Sequence, residues 1–238
     1  MWKSIKQEIR VQRSLFLGGI LTAVIAWVLG MIINVIAMHF LVDETEYFCL
    51  GTVMALLFGM IIMTVMGAMV IVQGFDDAVH MGKTRKKFIP AIFLVNVAAI
   101  FLPLLMTRIF LLLESALYGH LYADLTKETL PEQFLTLPWL FCYAVAAVGL
   151  AGIAGGAIKA NRKVGGAVSM IIWLSICWGI PGTSEENGGR GWITTIFIRR
   201  VTDWFLSLSN PGRMGCLLAV GIVGYGIMYL ILRKRATD

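Results

Sequence analysis

The sequence predicts an all-α integral membrane protein with six transmembrane helices and both termini cytoplasmic. Three observations carry that prediction. Of the 238 residues, 58% are hydrophobic and only 14% charged, against about 25% charged in an ordinary soluble domain. Six apolar runs reach or approach the ~20 residues that a helix needs to cross about 30 Å of hydrocarbon. Lysine and arginine cluster in alternate connections, as they do in cytoplasmic loops.

The runs are 15–40, 48–73, 89–113, 137–158, 165–180 and 214–232. Lys3, Lys6, Arg10 and Arg13 precede the first. Lys83, Arg85, Lys86 and Lys87 follow the second, Lys159, Arg162 and Lys163 the fourth, and Arg233, Lys234 and Arg235 the sixth. The other connections are acidic, with Asp43, Glu44 and Glu46, then Asp124, Glu128 and Glu132, then Glu185 and Glu186. Six spans place every basic cluster on one side; five or seven would break the alternation. The whole chain reads as one membrane domain.

The first run is too long for the apolar core of a signal peptide, about 7–15 residues, and reads as a retained span. Before it, residues 1–14 alternate Trp2, Ile5 and Ile9 with cations at helical spacing. That pattern fits an interfacial amphipathic helix on the inner leaflet, and equally a plain cationic anchor. Gly51, Ala55 and Gly59 recur every fourth residue in the second span, and Gly152 and Gly156 do so in the fourth. Small residues at this spacing let helix backbones approach closely, within one chain or between two copies.

The last outer connection, 181–213, begins with a Gly-rich turn and continues as "WITTIFIRRVTDWFLSLSNPG". It is too polar to span. It predicts a re-entrant or interfacial segment that stops at Asn210-Pro211-Gly212, with Trp192 and Trp204 at headgroup level.

Several chemistries are excluded. Scattered cations between apolar runs do not make the basic face that a nucleic acid requires. Cys49, Cys142, Cys177 and Cys216 have no paired spacing, and His39, His80 and His120 are dispersed, so no metal site is expected. No Gly-rich phosphate-binding sequence occurs, and the inner loops are too short for a catalytic domain. "EENGGR" at 185–190 matches the E-E-x-x-x-R pattern of intramembrane CAAX-type proteases, but no histidine follows His120. No G-x-S-x-G of a serine hydrolase is present. An ion-coupled transporter would carry acids within its spans. Here Asp43 lies just past the first span and Glu114 at the outer end of the third. Arg108 is the one charge well inside an apolar run. It is expected to pair with an outer acid such as Glu114, to snorkel to the headgroups, or to meet a substrate or gate.

The densest polarity lies in the inner connection 74–88, "GFDDAVHMGKTRKKF". Asp76 and Asp77 suit the start of a short helix, where carboxylates favour the positive end of the dipole. Phe75, Val79 and Met81 supply an apolar side, with His80 between them, and Gly82 suits the helix end. Lys83 to Lys87 return the chain to the inner leaflet. Topology explains the cations and leaves the acid-started helix unexplained. Docking of a soluble partner would account for it.

Six spans, cytoplasmic ends and "AVHMGKTRKKFI" after the second span resemble the permeases of type-2 exporters among the ABC transporters. In that class an "MG-x-[ST]-R-[KR]" loop forms a coupling helix that sits in a groove of the ATP-binding subunit; Met81, Gly82, Thr84, Arg85 and Lys86 match it here. The outer segment 191–209 also resembles the re-entrant helices of the class. The small size is similar to Gram-positive permeases that export lantibiotics, bacitracin-like antibiotics or phenol-soluble modulins, the last being the nearest in overall look. The resemblance implies a plasma-membrane half-transporter with no cofactor of its own. It would pair with a second copy or a related permease above two ATPase subunits, which bind ATP and Mg, and export amphipathic peptides or lipid-like compounds. A non-transporting immunity or scaffold protein, binding a toxin or partner in the membrane, fits the same composition.

Overall fold

A computed structural model describes residues 9–10, 12–40, 46–80, 85–121, 126–127, 135–167, 169–170, 200–201 and 203–234. Five long helices dominate it. They are α1 (Arg13–Phe40), α2 (Leu50–His80), α3 (Arg85–Leu121), α4 (Leu137–Ala160) and α5 (Asn210–Lys234). All five are long and apolar enough to cross a membrane, so the chain is a multi-pass membrane protein. Of the predicted fifth span only 165–167 and 169–170 lie within the described residues. Most of 1–14 and of 181–213, Trp192 included, lies outside them.

Helices α3 and α4 form the centre of the bundle. Their apolar windows are 56% and 61% buried, against 22% in α1 and α5. α3 packs on α1, α2 and α4, while α5 packs mainly on α4. The outward face of α1, including Leu17, Leu21, Leu29 and Ile36, is exposed. In lipid such a face needs no covering by protein, because the surrounding tails are equally apolar.

Two glycine crossings set how close the helices come. A Cβ on Gly30 of α1 would lie 2.6 Å from the Gly51 Cα of α2. A Cβ on Gly149 of α4 would lie 2.5 Å from the Gly221 Cα of α5. Neither crossing has room for a side chain. Beside the first, Trp27 and Phe110 stack with centroids 4.7 Å apart.

Two residues of each acidic connection meet. Glu46–Tyr47 (β1) pairs in parallel with Thr126–Lys127 (β2). This short ladder holds the α1–α2 and α3–α4 connections at the same end of the bundle, as the charge alternation requires.

The structure corrects the sequence reading at three boundaries. α2 continues without interruption through Asp76 and Asp77 to His80. These acids therefore occupy the C-terminal end of a membrane helix rather than the start of a separate one. α3 runs on past Leu113 to Leu121 and takes Glu114 into its interior. Asn210-Pro211-Gly212 does not only stop a segment: after a bend at 208–209 it opens α5. Proline is well suited to a first helical turn, where its missing N–H has no intrahelical partner to lose.

Candidate functional site

The basic connection after the second span joins two long helices. α2 ends at His80 and α3 begins at Arg85, so Met81, Gly82, Lys83 and Thr84 are the whole link and lie outside the described residues. Phe75, predicted to offer an apolar docking side, is 8% exposed and belongs to the hydrophobic core. Asp76, Asp77, Val79 and His80 are the positions beyond it on α2, and Arg85 and Lys86 open α3. The positions are electrostatically contrary. Acids at a helix C-terminus and cations at an N-terminus each oppose the macrodipole.

One turn beyond this connection, Tyr225 of α5 donates its hydroxyl to the Ile89 carbonyl at 2.8 Å. Its ring meets Phe93 edge-on, with centroids 4.6 Å apart. The first turns of α3 are thereby joined to the last helix, over 136 positions of sequence.

At the opposite end lies a buried polar cluster that sequence reasoning missed. Glu114 is fully buried. Its Oε1 accepts the Gly51 amide at 2.9 Å, and its Oε2 accepts both the amide and the hydroxyl of Thr52 at 2.7 Å. Cys49 occupies the capping position of α2, and a thiol is a weak acceptor. Glu114 supplies from α3 the acceptor that a local Ser or Asp would normally provide, and places an anion at the positive helix end. Around it, Asn34 donates to the Phe48 carbonyl at 2.8 Å, and the Tyr47 and Tyr118 rings meet edge-on.

Of the readings open for Arg108, pairing with the fully buried Glu114 is not made. Arg108 is exposed on the outward face of α3, beside Ile109 and Leu112. Trp204 is 56% exposed. Among the small residues, Gly51 packs on α1, Ala55 clusters with Ala23 and Phe110, and Gly152 and Gly156 receive Tyr225 and Met228 of α5. A Cβ on Gly59 would meet nothing within 4 Å. Among the described residues no group of three His, Cys, Asp or Glu side chains converges as a metal site would require.

A cavity of about 360 Å³ lies along α4, between α2 and α5. Its floor is Ala146, Ala147, Leu150, Ala154 and Ile158, and its walls come from Leu57 to Met69 of α2 and Leu217 and Val220 of α5. The small floor residues create the hollow. The volume is at the lower end of that of small-molecule sites.

No protein-family model, curated protein or solved structure matches the chain.

Proposed function

We propose that the chain is the membrane-spanning subunit of an ATP-driven exporter, working as a pair of permeases on two separate ATPase subunits. Export of amphipathic peptides or lipid-like compounds across a Gram-positive plasma membrane follows from the resemblance of the inner loop to type-2 exporter permeases. ATP and Mg belong to the ATPase, and this chain carries no chemistry of its own.

The observation that best supports the reading is that both helices flanking the basic connection are long and tied into the bundle. A connection that only fixed topology would need cations and nothing more. This one adds acids at the end of α2, the end at which the helix dipole disfavours them. A basic surface on a docked partner offsets that cost. A push on the connection reaches two helices at once. α2 is a single helix of 31 residues, held at its far end by Glu114, and α3 passes the push to α5 through Ile89 and Tyr225. Rigid helices joined in this way move as bodies, which is what an alternating-access step requires.

The test is to isolate the chain from its native membranes in mild detergent. An ATPase subunit carrying a Gly-rich phosphate-binding loop is expected in near-equal amount. Recovery of the chain without one would leave the immunity or scaffold reading in its place.

A further inference from the structure

We propose that the groove along α4 is a binding site for one acyl chain of an anionic lipid, taken from the leaflet on the basic-loop side. Four features point there. The floor from Ala146 to Ile158 extends about 18 Å at 1.5 Å per residue, close to one leaflet of a hydrocarbon core about 30 Å thick. The rim residues Leu57, Val65, Met69 and Val220 are 43–52% exposed, so the groove opens sideways into hydrocarbon. The lining is otherwise apolar, and the Thr64 hydroxyl is already bonded to the Met60 carbonyl. The fourth feature is the polar end.

That end is built by a tight reversal of the chain. Asn161 closes α4, and its Oδ1 accepts the amides of Lys163 and Val164, which starts a second helical turn. Gly165 permits the reversal, because a Cβ there would lie 2.2 Å from the Ile158 nitrogen. The turn returns Ser169 to the groove, where its shielded Oγ has no hydrogen-bond partner among the described residues. Between Ile158 and Ser169, both of which line the groove, Arg162 and Lys163 are exposed. Exposed cations just beyond Ile158, where the apolar slot ends, match an anionic headgroup with its chain in the slot. Basic pockets between spans on the cytoplasmic side bind anionic lipids by this logic.

The site does not depend on the exporter reading, and its test measures binding alone. The full chain is reconstituted in phosphatidylcholine with a trace of phosphatidylglycerol bearing a photoreactive group in its chain. After illumination the labelled peptides are mapped by mass spectrometry. Labelling is expected to concentrate on 57–69 and 146–158, and to be displaced by unlabelled phosphatidylglycerol well before added phosphatidylcholine. Ala154→Phe, at a half-buried position of the floor, is expected to abolish it. Arg162→Gln and Lys163→Gln, both at exposed positions that leave the fold intact, should each weaken the preference for phosphatidylglycerol about fivefold. The proposal is overturned if label spreads evenly over the exposed face of α1, as general solvation by lipid would give. It is also overturned if the two lipids compete equally, if an amphipathic peptide displaces the label while phosphatidylglycerol does not, or if another part of the chain crosslinks to Ala154→Cys and no lipid does.

Discussion

Glu114 and Thr52 stand on different helices, yet one carboxylate oxygen of Glu114 accepts both the amide and the hydroxyl of Thr52. The bond pair fixes the start of α2 against the C-terminal part of α3. Glu114→Ala leaves two amides and a hydroxyl without their acceptor in a buried site, at about 1–3 kcal/mol for each group that finds no other partner. The melting temperature of the detergent-solubilised protein should fall markedly. Thr52→Ala should lower it less, and the double variant should lose less than the sum. Arg108→Gln should leave melting almost unchanged. Equal losses from Arg108→Gln and Glu114→Ala would mean that the two residues pair after all.

The glycines differ in what they tolerate. Gly149→Ala places a methyl 2.5 Å from the Gly221 Cα, and overpacking of this kind costs about 1–3 kcal/mol. The gain in helix propensity, up to about 1 kcal/mol, does not cover that cost. Gly59→Ala meets nothing and should be neutral or stabilising. Parallel melting curves of the two variants give the comparison.

Tyr225→Phe removes the hydroxyl that reaches Ile89 while keeping the ring against Phe93. A stability loss of about 0.5–1.5 kcal/mol is expected. If the connection drives α5 through this bond, transport per ATP hydrolysed should also fall while the ATPase stays bound. Loss of the ATPase would assign Tyr225 to docking instead.

The sequence carried the long elements well, because twenty apolar residues in a row leave few alternatives. Runs one to four and six each became a helix, with ends that moved by up to eight residues. The misread ends share a cause. Charge was taken as a terminator at Asp76 and Glu114, but a helix stops when its backbone is released, and neither place has a proline to release it. Glu114 could also be buried only because its partners, Gly51 and Thr52, lie more than 60 positions earlier. No local pattern encodes such a partner. The groove was invisible for a related reason: its floor of Ala146, Ala147 and Ala154 reads as ordinary helix, and the hollow exists only where α2 and α5 both pack on α4. The small-residue spacing was legible as close packing, but only the structure distinguishes Gly51, which has no space, from Gly59, which has.

The central claim is that the basic connection holds a soluble ATPase, and native mass spectrometry of the complex from native membranes tests it most directly. Asp77→Arg and Arg85→Glu, made together, reverse both signs at the connection. The wild type should appear as a permease pair carrying two ATPase subunits. The reversed variant should melt no lower than the wild type, because both new charges favour their helix dipoles, and should keep its pairing and lose the ATPase. Retention of the ATPase at the wild-type ratio, or a wild type that carries none, would contradict the account.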